Sequence, residues 1–313
     1  MARARRFSSR AALLAGLMCA GTWVGPAHAS APPTDGSFTG KASQEVTVTA
    51  RRAKLAPRVR AFVSKIAALE QDAGLARWHA PVCPSVTGFT RRGGEFVLER
   101  ISDIARAAAV PLAAEHCRAN LYIFVTSDPR RLLRAMEKRN RAVTFGNFTP
   151  PLAVDEFIAS SVPVRVWYNS NSVTPDYLPA TRGMPPFVQL INSPVGSAPI
   201  TSDWERASHV TSTQVWTFSY VYVIVDRTRL QQVTLGQLAD YVGMVGLARL
   251  KATEGLGDVP TILKLFDGTP QAAPAGLSAW DLAFLKSLYA TEQRSKVQRA
   301  LIAQQMVRSI VPR

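Results

Sequence analysis

The chain has 313 residues, 37 basic and 22 acidic, for a net charge of +15, and 47% of it is hydrophobic. That length suits one large domain or two smaller ones, and that hydrophobic share is ordinary for a globular protein with a packed core. Beyond residue 29 no stretch is long and apolar enough to span a bilayer, which excludes a helical membrane protein once that segment is removed.

The N-terminus carries Arg3, Arg5, Arg6 and Arg10 with no acidic residue, then the apolar stretch from Ala11 to Val24, Pro26, and the small-x-small triplet Ala27-His28-Ala29. That order is the signature of a secretory signal peptide, residues 1–29, cut between Ala29 and Ser30. The apolar stretch falls short of the roughly 20 residues a spanning helix needs. Met18 stands before Cys19 where a lipoprotein would carry a small residue. Removing the segment takes away four arginines and lowers the net charge to +11. The expected location is the periplasm or cell envelope.

What remains holds two cysteines, Cys83 and Cys117, and three histidines, His79, His116 and His209. Two cysteines in an oxidising compartment pair, and closing a loop of this size constrains the unfolded chain by roughly 3–4 kcal/mol. A zinc site built on His79, Cys83, His116 and Cys117 is disfavoured, because His116 and Cys117 are adjacent and structural sites space paired ligands by two to four residues.

Residues 30–54 are small, polar and basic, and read as a flexible arm. Within it, Glu45-Val46-Thr47-Val48-Thr49-Ala50-Arg51-Arg52 alternates β-branched residues. From residue 55 to 73, Leu55, Val59, Phe62, Ile66 and Leu69 share a helical face that Gly74 ends. Trp78–Gly88 is extended and contains Cys83. Gly94–Ala109 is helical, with Val97, Ile101, Ile104 and Ala108 aligned, and Pro111 ends it. Leu121–Thr126 is a buried strand. Ser127-Asp128-Pro129 caps the next helix, whose buried side is Leu132, Leu133 and Met136. Strand, helix, strand, helix over 76–140 makes a compact α/β unit, with the disulfide tying the entries of its two strands.

Val162–Trp167 reads as another strand. Residues 169–203 are rich in proline, serine, asparagine and glycine, a loop long enough to mark a binding surface or a mobile cover, with a short strand expected over 187–191. Thr213–Asp226 is the strongest β segment. Thr234-Leu235-Gly236-Gln237 opens a helix with a capping box, and Leu238, Val242 and Val245 continue it to about Leu250. Ser278-Ala279-Trp280-Asp281 starts a final helical region, one helix or two joined near Ala290. The whole reads as α+β: a disulfide-stapled α/β unit over 55–145, then a C-terminal part over 146–313 of β-hairpin and helices.

Catalytic signatures are missing from the sequence. There is no G-x-S-x-G elbow and no H-E-x-x-H pair. The Gly255-x-Gly257 pair lacks a third glycine and a preceding strand, so it reads as a turn. Asp155-Glu156 would diverge on a strand and reads as surface charge. His209, between a polar loop and a strand, is the first candidate for a catalytic histidine. The densest basic places are Arg91-Arg92, Arg130-Arg131 and Lys138 to Arg141. They are scattered, the last reads as the solvated side of a helix, and export argues against nucleic acid.

The segment Glu45 to Arg52 (EVTVTARR) resembles the short box near the mature N-terminus of TonB-dependent outer-membrane receptors. The resemblance implies that Glu45, Val46, Thr47, Val48 and Thr49 pair as an added strand with an envelope partner. Trp78…Pro81-Val82-Cys83-Pro84-x-Val86-x-Gly88 with Cys117-x-x-Asn120-Leu121 resembles an uncharacterised family of exported Gram-negative proteins. The C-terminal half, through Leu277-Ser278-x-x-Asp281-x-x-x-Leu285-x-x-Leu288-Tyr289, is similar to exported peptidase-like domains. Where those carry His-Glu this chain has Gln237-Leu238, which implies a lost zinc site. The expected function is therefore non-enzymatic binding in the envelope, without cofactor or metal. The alternatives are a hydrolase with a dispersed site that includes His209, and a degenerate peptidase-like scaffold.

Overall fold

The computed structural model describes residues 39–68, 74–146, 149–173, 215–251, 255–268, 273–293 and 297–312. The chain divides into two units, Met1–Ala42 and Ser43–Arg313. The described elements belong to the second, apart from the first residues of the helix that begins at Thr39. The proposed signal and its cleavage point, Ala29 and Ser30, lie outside the described residues, as do His209 and the expected strand over 187–191.

The architecture is α+β. In chain order it runs α1 Thr39–Ile66, β1 Pro84–Thr87, α2 Arg91–Ala107, β2 Leu121–Thr126, α3 Pro129–Phe145, α4 Pro151–Ala159, β3 Val164–Val173, β4 Val215–Asp226, α5 Leu235–Leu247, α6 Ala279–Ala290 and α7 Gln298–Ile310. A four-stranded sheet has the order β1-β2-β4-β3. β1, β2 and β4 are parallel, and β3 runs antiparallel to β4. Because β4 pairs with β2, the sheet and its core cross the junction at residue 145.

The strand alternation sorts side chains onto two faces. Leu121, Ile123 and Val125 of β2, Val221, Val223 and Val225 of β4, and Val164 of β3 face a large core. That core is filled from α1 by Phe62 and Ile66, from α2 by Val97 and Ile101, from α5 by Leu238 and Val242, from α6 by Phe284 and Leu288, and from α7 by Ile302 and Met306. The opposite face, with Tyr222 and Ile224, packs under Leu133 and Phe145 of α3 and Val154 and Ile158 of α4. The result is three layers: helices, sheet, helices.

Local signals set most boundaries. The side chain of Asp128 accepts from Arg131 N at the start of α3, with Pro129 in its first turn. Thr234 with Gln237, and Ser278 with Asp281, form complete capping boxes at α5 and α6. The C-terminal helical region is two helices, because the chain turns extended at Thr291. The disulfide Cys83–Cys117, with Cα atoms 6.0 Å apart, joins the residue before β1 to the loop before β2.

Two expectations change. Residues 39–54, expected as part of a flexible arm over 30–54, are helical: α1 begins at Thr39 and takes in Glu45 to Arg52. Thr49 Oγ1 donates back to Glu45 O, 2.9 Å away, which satisfies the hydroxyl within the helix. Arg52 then donates through Nε and Nη2 to Val311 O beyond the end of α7, at 3.0 and 2.9 Å. The second change is in β3, which runs on to Val173, so residues 169–173 belong to the sheet and not to the loop. The pairing of Asn169, Ser170, Asn171 and Ser172 with β4 outweighs their weak strand propensity.

Candidate functional site

In an open sheet with parallel strands, ligands bind beyond the carboxyl ends of the strands, where successive connections leave toward opposite faces. Here β1 exits to α2 on the large-core face, β2 exits to α3 on the other, and β4 exits toward α5 on the first. The end of β2 therefore lies in a crevice between two diverging connections.

The walls of that crevice are basic. Arg91 and Arg92 open α2 behind its cap Thr90, and Arg130 and Arg131 open α3; neither helix has an acidic residue in its first turn. Both helix N-termini point their positive dipole ends at the same edge, with Gly93 N of α2 capped by Thr90 Oγ1 and Arg131 N of α3 capped by the carboxylate of Asp128. Arg227, just past β4, reaches across the end of β2 to donate to Gly88 O. Gly88 has φ +96°, and a Cβ there would stand 2.0 Å from Val125 O, so only glycine lets the β1 exit lie this close to β2.

Beside β4 the turn is organised by Asp226, whose Oδ1 accepts from Thr228 N and Thr228 Oγ1 at 3.0 and 2.6 Å. Arg229 Nε lies 3.8 Å from Asp226 Oδ2, and its Nη1 donates to Ser161 O. Arg130 Nη2 donates to Ala159 O at 3.0 Å. These two exposed arginines therefore bracket the α4–β3 connection from either side.

Beneath them sits Arg165. It is the second residue of β3 and only 5% exposed. Its Nε and Nη1 are sealed from solvent and have no hydrogen-bond partner. Burial pulls its pKa below the ordinary arginine value; the attraction of Asp226 opposes this, while Arg130 and Arg229 add to it. A buried cation without a partner is costly. Asp226 is already engaged with Thr228 and Arg229, and every other charge that acts on Arg165 here is positive.

The sequence candidates fall elsewhere. Cys83 and Cys117 are oxidised together and so hold no metal. His79 Nε2 meets Gln293 Oε1 at 2.5 Å, and burial, its main perturbation, lowers its pKa. Gln293 and Arg77 lock the same segment onto α6: Arg77 Nη1 donates to the carbonyls of Leu288, Tyr289 and Thr291 at 2.7, 3.0 and 2.9 Å. His116 lies in a left-handed turn with φ +59°. Asp155 and Glu156 stand on α4, a helix and not a strand, and Asp155 pairs with Arg134 at 2.8 Å. Gln237 completes the α5 capping box and donates to Pro274 O, while Leu238 is core. Glu45 to Thr49 lie on α1, where their backbone groups are engaged in the helix. Among the described residues no group of three His, Cys, Asp or Glu side chains comes together as metal ligands, and no helix is long and apolar enough to cross a membrane.

Arg165 escaped the sequence reading, although a signal existed. In Val164-Arg165-Val166-Trp167 a cation occupies an interior position of an otherwise apolar strand. The sequence matches no protein-family model and no curated protein, and no solved structure matches either.

Proposed function

We propose that this is an exported binding protein of the cell envelope whose ligand carries a phosphate or carboxylate, held in the crevice at the carboxyl ends of β1, β2 and β4. The observation that carries the reading is Arg165, buried near Arg130 and Arg229 with its Nε and Nη1 making no hydrogen bond and only Asp226 attracting its charge. A fold that only needed to fill this space would be served better by a methionine, which has no charge to desolvate. A bound anion supplies the missing compensation. The exposed arginines, which donate to backbone carbonyls in the free protein, then turn their remaining N–H groups to it. Export accords with the Cys83–Cys117 disulfide.

The test is thermal unfolding of the chain from Ser30 onward in rising inorganic phosphate, with chloride added to hold ionic strength constant. Phosphate at 100 times its Kd should stabilise by about 2.7 kcal/mol, a rise in Tm of roughly 5–10 °C for a domain of this size. Arg165→Met should fold, melt at or above the wild-type temperature without phosphate, and lose the phosphate-dependent rise. An equal phosphate response in both proteins, or none in the wild type, would overturn the reading.

A further inference from the structure

Among the described residues, the sheet face that carries Arg165 is only partly covered by helices. α3 lies over β3 and β4, while Tyr122 and Phe124 on β2 pack against the edge of that cluster and are partly buried. The two rings are parallel within 3°, with centroids 6.3 Å apart. Tyr122 also stacks on Tyr222 at 5.2 Å, and its hydroxyl donates to Ala119 O at 2.7 Å, so its ring is held in place. Beside them the pairing Ser85↔Tyr122 and Thr87↔Phe124 sets two hydroxyl side chains of β1 on the same face. Ser85 is half-buried and Thr87 exposed.

This shelf leads into the crevice. Tyr122, Phe124 and Thr126 follow one another on one face of β2, and Thr126 Oγ1 accepts from Asp128 N at the mouth of α3. Phe124 pairs with Ile224, and Ile224 with Arg165, so two strand spacings, about 10 Å, separate the shelf from the buried cation; Ile224 between them is core, so a ligand reaches the crevice past Thr126 at the strand end. A hexose bearing one charged group has that reach.

We infer that the ligand is an anionic sugar: its charged group occupies the arginine crevice and its ring lies on Tyr122 and Phe124 beside Ser85 and Thr87. The inference rests on the anion-binding reading above. A pyranose presents one apolar C–H face and a rim of hydroxyls. A shelf of two fixed rings edged by two hydroxyls complements both, and the aromatic faces add ring contact that a bare anion cannot use. A flat nucleobase would use the rings and leave the hydroxyl edge unmatched.

The experiment is calorimetric titration of the same Ser30-onward protein with inorganic phosphate, glucose 6-phosphate, N-acetylglucosamine 6-phosphate, glucuronate, acetate and adenosine monophosphate. At least one sugar phosphate should bind on the order of tenfold more tightly than inorganic phosphate, or glucuronate more tightly than acetate by that factor, the step one good ring contact supplies. Which pair separates tells a phosphosugar from a sugar acid. Phe124→Leu and Thr87→Val, both at partly open positions, should erase the sugar increment and leave phosphate affinity unchanged. If phosphate binds and no sugar exceeds its matched anion, the sugar inference fails and the anion reading stands. If adenosine monophosphate exceeds every sugar, the shelf holds a base and the inference again fails. If phosphate does not bind at all, both readings fail together.

Discussion

Arg100 of α2 and Asp240 of α5 meet in a two-pronged pair, Nε to Oδ1 at 2.5 Å and Nη2 to Oδ2 at 2.9 Å. The carboxylate side is 1% exposed and the guanidinium side 43%. Asp240 Oδ2 also accepts from Leu277 N at 2.6 Å, so one buried carboxylate joins α2, α5 and the segment leading into α6. The packing around it is tight enough that a Cβ on Gly276 would fall 2.5 Å from Oδ2.

The two halves of that pair should not be equivalent. Arg100→Met leaves a buried carboxylate facing one backbone N–H, and should cost about 3 kcal/mol, the low end for breaking a buried pair because Arg100 itself reaches solvent. Asp240→Asn keeps an oxygen for Leu277 N and releases Arg100 to water, and should cost about 1–2 kcal/mol. Urea midpoints of the two variants decide it. Equal costs would mean that the charge pair adds nothing to the Leu277 bond.

The Cys83–Cys117 bridge ties the entries of two neighbouring parallel strands. The double variant Cys83→Ala, Cys117→Ala should fold to the same sheet and unfold at lower denaturant, with a loss of roughly 3–4 kcal/mol in the chain-entropy picture. A loss below about 1 kcal/mol would mean that the reduced unfolded chain is already constrained near the bridge.

Gly88 and Gly257 offer a matched contrast. Both have positive φ, +96° and +60°, but a Cβ at Gly257 meets nothing within 4 Å. Gly257→Ala should cost about 1 kcal/mol, the left-handed penalty alone. Gly88→Ala must also push the β1 exit off Val125 O and should cost at least about 3 kcal/mol. Because Arg227 donates to Gly88 O, the same variant should weaken phosphate binding, which phosphate titration of the folded fraction reads.

His79 gives the fold a pH dependence of known sign. Burial lowers its pKa below the ordinary 6.5. As pH falls below 6.5, the unfolded chain takes up a proton that the folded chain refuses, so folding stability drops from that point until the folded-state pKa is passed. Above pH 6.5 the contribution is complete. His79→Gln should flatten the stability profile on the acid side of 6.5, measured as urea midpoint against pH. An unchanged slope would assign that dependence to other groups.

The elements whose cause is local were legible in the residues. Asp128 before Pro129, Thr234 with Gln237 and Ser278 with Asp281 each announce a helix start, because the capping oxygen lies within three residues of the N–H it serves. Leu121–Thr126 announces a buried strand by composition, and Cys83 pairs with Cys117 by count. The alternation at Glu45–Thr49 misled in the other direction: β-branched residues favour strands only when a neighbouring strand accepts them, and here helix continuity with Leu55–Ile66 prevails.

The site had no such local cause. Arg91-Arg92, Arg130-Arg131, Arg227, Arg229 and Arg165 are spread over more than a hundred positions and look like scattered surface charge in the chain. Parallel pairing of β1, β2 and β4 brings their carboxyl ends, and with them these arginines, to one edge. Sequence by itself determined the capped starts of α3, α5 and α6, the core strands β2 and β4, and the disulfide. The sheet order, the buried Arg165 and the crevice above it were decided only by tertiary structure, because strand order depends on contacts between distant segments that no short stretch of residues encodes.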